Sequence, residues 1–217
     1  MMKINIKNIT ALLILALFIV GCSNKDAVKE YDKPALYWYK SIAKEVASSN
    51  LDKADNLYIS LRSEHTRSPL LPTATMILAQ AHMEDQAYIM ADYYLDEYLK
   101  KYASGSKIEQ AKFLKIKAAF LGIKDINKEQ KLMLDTLANV DKFVKSYPNS
   151  IYLPIVNTIL VRLQMAQYML NENISSLYHR LGKEKASQIY KNKNKNSPLN
   201  MTDIKAPEVS FFESIFN

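Results

Sequence analysis

The stretch AYIMADYYLDEYLKKY, residues 87–102, decides the fold class of this chain. Its apolar side chains recur at spacings of three and four residues, at Ala87, Ala91, Tyr94, Tyr98 and Tyr102. This spacing places them on one face of an α-helix, with most of the charged residues elsewhere on its surface. We expect most of these tyrosines to pack between helices with their hydroxyl groups at the edge, and the alternative is that they line a peptide groove.

The same spacing recurs along the chain and predicts eight helices. The apolar residues that mark them span residues 35–47, 51–61, 74–81, 87–102, 108–121, 134–144, 155–169 and 174–189, with the third helix expected to end near residues 84–85 and the sixth to stop at residue 147. Asn171, Glu172 and Asn173 are predicted to separate the last two helices. No stretch shows a convincing period-2 alternation over the length of a strand. The sequence therefore predicts an all-α fold of four helical hairpins with short turns.

Equivalent positions in successive hairpins lie at the spacing of helical-hairpin repeats. Ala54 and Ala91, near the start of the second helices of the first two pairs, are 37 residues apart, close to the 34-residue tetratricopeptide repeat. Stacked hairpins share a continuous core and curve around a concave groove that holds a peptide or a partner segment. We predict a tether at residues 22–34, a tetratricopeptide-like solenoid at 35–191, and a linker with an apolar C-terminal tail at 192–217.

The N-terminal segment predicts export and lipid anchoring. Lys3 and Lys7 precede an apolar run at residues 11–20, which is typical of a signal peptide covering residues 1–21. The following Gly21-Cys22 resembles the lipobox of bacterial lipoproteins, which implies a covalent lipid on Cys22 and cleavage before it. The alternative is an ordinary signal peptide with a chance cysteine. Ser23 favours retention at the outer membrane by the same resemblance.

Composition excludes several classes of function. Cys22 is the only cysteine, so the sequence offers neither a disulfide nor a thiolate metal site. The 4 glycines argue against glycine-rich phosphate loops. The net charge of +7 is spread along the chain and predicts solvated helix faces instead of nucleic-acid binding. The histidines lack metal-ligand spacing and are expected at surface or groove positions, and Asp92 and Asp96 are expected to be solvated. We therefore expect no catalytic residues, no metal, no cofactor and no enzyme activity.

The segment FVKSYPNSIY, residues 143–152, resembles the BamD family, the ComL-type lipoproteins of the outer-membrane β-barrel assembly machine. Residues at matching places in all four hairpins support the resemblance: Tyr39, Ala54, Pro69, Ala79, Gln80, Ala81, His82, Tyr88, Ala91, Glu109, Ala118, Tyr178 and Ala186. Two departures are His82 and Met83, which stand where aromatic residues are usual. A fifth hairpin, common in the family, is not expected here.

The resemblance implies a periplasmic scaffold at the outer membrane that binds a BamA-like β-barrel insertase, other subunits of the assembly machine and unfolded outer-membrane proteins. It implies a peptide groove in the first two hairpins, with the candidate residues Tyr39, Gln80, His82 and Tyr88. It also implies an insertase contact in the last hairpin, with the candidate residues Tyr178, Arg180 and Lys191. The alternatives are a lipoprotein adaptor that recruits cell-wall hydrolases and a cell-wall enzyme built from helical hairpins.

The C-terminal region combines two contrasting stretches. Residues 191–195 alternate Lys and Asn and are expected to form a flexible linker, with attraction to anionic lipid as the alternative. Five large apolar residues follow near the end: Val209, Phe211, Phe212, Ile215 and Phe216. A disordered segment does not usually carry such a cluster. We expect it to dock, either on the last hairpin or on a partner.

Overall fold

The computed structural model describes residues 30–199, and these contain eight α-helices and no strand. The helices are α1 Ala35–Ala47, α2 Leu51–Glu64, α3 Leu71–Glu84, α4 Tyr88–Lys101, α5 Ser106–Gly122, α6 Gln130–Ser146, α7 Leu153–Arg180 and α8 Glu184–Lys195. All eight belong to one compact unit that begins at Pro34. This confirms the predicted all-α fold.

Each helix packs against the next one along the chain, which gives four helical hairpins in sequence. Contacts also join α1 to α3 and α5 to α7, the first helices of neighbouring hairpins. Prolines help to position two of these first helices, because Pro72 and Pro154 lie in their first turns, where the missing N–H has no helical partner. The arrangement is consistent with tetratricopeptide-like repeats.

The described helices enclose two hydrophobic clusters. The first lies among α1–α4 and includes the buried Trp38, Tyr58 and Leu95. The second lies among α5–α7 and extends into the loop after α5. Leu114 of α5 packs against both clusters. The solenoid is therefore held by two local cores that meet at the junction of the second and third hairpins.

The predicted break at residues 171–173 is wrong. The chain stays helical there, and α7 continues to Arg180. The amide of Asn171 instead donates a 2.9 Å hydrogen bond to Asn194 Oδ1 of α8. The turn comes at Gly182, whose φ of +70° lies in the left-handed region that favours glycine.

The last helix is also longer than the sequence suggests. It continues through residues 191–195, which were expected to be a linker, and ends at Lys195. Asn194 explains this extension, because its buried amide donates to the carbonyl oxygen of Tyr168 and to Glu172 Oε1 of α7. Asparagine is typical of loops, but here Asn194 makes a polar contact between two helices.

Candidate binding groove

A groove of about 940 Å³ opens between α4, α5 and α6. Tyr88 and Ile89 of α4, Ile116 of α5, and Leu132 and Phe143 of α6 contribute apolar surface to it. Ile89 is 88% exposed even though it is a large apolar residue. Within the described residues the groove thus offers unpaired apolar surface at the junction of the second and third hairpins.

Small residues on α5 leave room for the groove. Ala118, Ala119 and Gly122 line it where larger side chains would fill the space between the helices. A Cβ atom added at Gly122 would lie 3.5 Å from the Cβ atom of Tyr88, an ordinary van der Waals contact. A methyl group at residue 122 would therefore pack against Tyr88 without a clash, and the backbone does not require the glycine.

Ion pairs cross the same groove. Lys115 Nζ of α5 lies 2.8 Å from Asp92 Oδ1 and 2.5 Å from Asp96 Oδ1 of α4. Burial lowers the pKa of the Lys115 amine, but the two carboxylates outweigh burial and hold this pKa above its ordinary value. The two aspartates, which were expected to be solvated, are about half-exposed and share one lysine. This cluster joins the second hairpin to the third.

A second cation interacts with an aromatic residue at the far end of the groove. Lys112 Nζ donates a 3.1 Å hydrogen bond to Tyr147 Oη and lies 5.3 Å from the centroid of the Tyr147 ring. Both residues line the groove. The groove therefore combines apolar surface with charged and hydroxyl groups that can bind the backbone or polar side chains of a peptide.

Of the four residues predicted for the peptide groove, only Tyr88 lines this one. Tyr39 is half-buried and packs against the first hydrophobic cluster, and Gln80 is exposed on α3. The groove thus lies between the second and third hairpins, one step along the chain from the predicted place. Ile89, Leu132 and Lys115 were missed. The sequence did contain one indication: Ile89 is a large apolar residue that lies outside the apolar face of its helix.

His82 is not a surface or groove residue, because it is 4% exposed inside the fold. Its Nε2 atom lies 3.0 Å from Asp55 Oδ1, and its ring stacks on Tyr94 with centroids 5.5 Å apart. The Tyr94 hydroxyl donates a 2.6 Å hydrogen bond to the same Asp55 oxygen. The prediction for His82 is therefore corrected: its ring belongs to a polar cluster that ties α2 to α3 and α4.

The candidate insertase residues lie on the last hairpin, away from the groove. Tyr178 stacks on Tyr190 of α8 at a centroid distance of 5.9 Å. Arg180, at the end of α7, and Lys191, on α8, are both exposed. The structure thus brings two tyrosines together beside exposed cations.

The predicted lipidation residue, Cys22, and the apolar tail lie outside the described residues.

Two kinds of feature are absent from the described part of the chain. No three His, Cys, Asp or Glu side chains between residues 30 and 199 come together as a metal site would require. In the same residues, no helix is both long enough and apolar enough to cross a membrane.

Comparison with known proteins identifies the family. The profile of the YfiO family, described as an outer membrane lipoprotein, matches residues 31–187, which includes all of α1–α7 and the start of α8. The chain is 36% identical over 179 residues to the outer membrane protein assembly factor BamD of Helicobacter pylori (strain ATCC 700392 / 26695). That match covers 81% of this chain and 81% of the relative. The chain therefore belongs to the YfiO family of outer membrane lipoproteins.

Proposed function

We propose that this protein is a non-enzymatic scaffold in the assembly of outer-membrane β-barrel proteins. The observation that carries the proposal is the match to an assembly factor over 81% of both chains. A lipid on Cys22 holds the protein at the periplasmic face of the outer membrane, and it works without a metal or cofactor. The anchor raises the effective concentration of the solenoid near the other assembly subunits, which favours weak contacts.

The groove between α4 and α6 is the proposed site for an unfolded outer-membrane segment. Such segments alternate apolar and polar residues, since one face of a barrel strand meets lipid. The groove offers both kinds of contact, through Ile89 and Leu132 and through Lys112 and Lys115. A helix of 14 residues such as α4 is about 21 Å long, which fits about six residues of extended chain.

The last hairpin is the proposed contact for the β-barrel insertase. Tyr178 and its partner Tyr190 supply an aromatic pair, and Arg180 and Lys191 supply exposed positive charge. Aromatic and arginine side chains carry much of the binding energy in protein interfaces. This surface is separate from the groove, so one molecule can hold a substrate segment and the insertase together.

The role in assembly is tested by isolating the tagged, full-length protein in mild detergent and identifying its partners. Recovery of a large outer-membrane barrel with periplasmic domains is the expected result. Recovery of peptidoglycan hydrolases without such a barrel would refute the proposal and favour the adaptor alternative. An Arg180→Glu variant should lose the barrel selectively, because charge reversal acts on the proposed contact.

The groove is tested with labelled peptides that copy single strands of outer-membrane barrels. Ile89→Ser should weaken peptide binding by about tenfold or more, since it removes an apolar side chain that the ligand would bury. Ile151→Ser is the matched control, because Ile151 is 81% exposed and lies outside the groove. Equal affinities of the two variants would contradict the groove assignment while leaving the role in assembly open to the isolation experiment.

A further inference from the structure

The long helix α7 extends beyond the helices it packs against. It has 28 residues and is about 42 Å long, whereas α5 and α6 have 17 residues each and are about 26 Å long. Its N-terminal part belongs to the hydrophobic cluster of α5–α7. Its C-terminal part packs on α8, the only other helix after it in the described residues.

The apolar stripe of α7 does not end where its neighbours end. Buried residues mark it from Val156 to Leu170, and Ile174 still packs against the core. Leu177 and Leu181 continue the stripe at spacings of three and four residues, yet they are 46% and 58% exposed. A stripe that is buried for most of its length thus ends in two uncovered leucines.

The helix α8 does not cover these leucines. Ser175 faces α8, because its buried hydroxyl lies 3.0 Å from both the Ser187 carbonyl oxygen and Oγ. Leu177 follows two residues later, about 200° further around the helix, and so points away from α8. Within residues 30–199 this face of α7 has no helical partner.

The surroundings of this face are strongly basic. Residues 177–195 carry six cationic side chains and one carboxylate, a net charge of +5: Arg180, Lys183, Lys185, Lys191, Lys193 and Lys195 against Glu184. Residues 207–217 have the opposite charge, since they contain Glu208 and Glu213 and no Lys or Arg. The same eleven residues carry the five large apolar side chains of the C-terminal cluster.

The chain length allows the two segments to meet. The helix α8 ends beside the middle of α7, because Asn194 donates to the carbonyl oxygen of Tyr168. From Tyr168 to Leu181 the rise along α7 is about 20 Å. Residues 200–208 can span about 30 Å when extended, which exceeds that rise.

We propose that residues 207–217 dock within the same molecule on the face of α7 formed by Ile174, Leu177 and Leu181. The apolar side chains of the segment cover the two leucines, and Glu208 and Glu213 face Lys183 and Lys185 at the turn between α7 and α8. This docking does not depend on the function proposed above.

The test is hydrogen–deuterium exchange of the full-length protein in detergent, without partners. Amides of residues 208–216 should be protected, and Leu177→Ser/Leu181→Ser should raise their exchange rate about tenfold or more, because the docking face loses its apolar side chains. The matched control is Ile151→Ser/Ile155→Ser, which changes two exposed isoleucines, one in the turn before α7 and one in its first turn. Unprotected wild-type amides, or protection that survives the leucine substitutions, would overturn the proposal.

Two further measurements use only the wild-type protein. They distinguish docking within one molecule from coverage of this face by a second copy or by a partner. Protection that appears only at high protein concentration, or only after a membrane extract is added, assigns the face to a second copy or to a partner and refutes docking in cis. In the dilute wild-type protein, carbodiimide should join Glu208 or Glu213 to Lys183 or Lys185 within one chain. The absence of such a link would also contradict the proposal.

Discussion

Removing the carboxylate of Asp55 should destabilise the first two hairpins more than the loss of any surface charge. Asp55 accepts hydrogen bonds from the Tyr94 hydroxyl at 2.6 Å and from His82 Nε2 at 3.0 Å. Burial raises the pKa of Tyr94, and the adjacent carboxylate raises it further, so the hydroxyl is neutral and donates. A carboxylate only accepts, so Nε2 carries the hydrogen of the His82 ring.

The expected cost follows from these contacts. The Nδ1 atom of His82 is already buried without a partner. In Asp55→Ala, the second ring nitrogen and the Tyr94 hydroxyl also lose their acceptor. Hydrogen bonds to charged groups contribute about 1.5–3 kcal/mol each. Asp55 is partly exposed, so water replaces part of the loss, and we expect about 3 kcal/mol in total. This lowers the melting temperature by about 6–12 °C for a chain of this size.

The measurement is thermal unfolding combined with hydrogen exchange of the full-length protein. Asp141→Ala, which removes an exposed carboxylate from α6, is the control and should change stability by less than about 0.5 kcal/mol. Protection in Asp55→Ala should fall first in α2, α3 and α4, because repeats are stabilised mainly by their neighbours. Tyr94→Phe should cost about half as much, and its effect should not add to that of Asp55→Ala. An Asp55→Ala cost equal to the control, or strict additivity, would refute the reasoning.

Three further substitutions test other contacts. Thr75→Val should cost about 1–3 kcal/mol in thermal unfolding, because the buried Tyr58 hydroxyl, 2.7 Å from Thr75 Oγ1, loses this partner. Tyr58→Phe, which removes the hydroxyl itself, is the comparison, and a Thr75→Val protein that is no less stable than Tyr58→Phe would contradict this explanation. Gly182→Ala should cost about 1 kcal/mol through its φ of +70° alone, since open space surrounds the added methyl group, and a neutral result would refute that cause. Burial would raise the pKa of Glu97, but Lys101 and Arg62 outweigh it and hold the pKa below its ordinary value of 4.5. The ionised Glu97 side chain thus stabilises the fold at pH values above 4.5, and this stabilisation is lost as the pH falls through the lowered pKa. The difference in stability between the wild-type protein and Glu97→Gln should therefore shrink in acid, and a difference that stays constant with pH would contradict this explanation.

Periodicity located α1–α7, because the buried residues of these helices are mostly apolar and recur at spacings of three and four. The predicted last helix, residues 174–189, instead spans the end of α7 and the start of α8, whose buried residues are Ser187 and Asn194. Periodicity failed where a polar residue has a partner that only the fold supplies. Asn171 and Asn194 are typical loop residues, yet each bonds across the α7–α8 hairpin. On α1, Trp38 is 2% exposed, whereas Leu36, two residues earlier, is half-exposed. The rotation of a short helix about its own axis determines which of its apolar residues are buried. Tertiary packing sets that rotation, and the sequence pattern alone does not.

The candidate site was less predictable than the fold for a related reason. A groove is formed by the space between helices, and three small residues of α5 together with the paths of α4 and α6 determine that space. Repeat periodicity locates the helices but not the angle between successive hairpins. His82 illustrates the same limit, because a histidine on an otherwise apolar face gives no sign of a carboxylate acceptor 27 residues away.

The groove lies at the junction of two hairpins, so its width depends on how they pack. Its lining residues come from α4 of the second hairpin and from α5 and α6 of the third. The Lys115 ion pairs and Leu114 join the same two hairpins, and Leu114 touches both hydrophobic clusters. The segment proposed to bind in the groove would add contacts to both sides of this junction and would stabilise it by mass action. Any change that opens the junction alters the width of the groove, so the angle between these two hairpins would determine which segments the proposed site can hold.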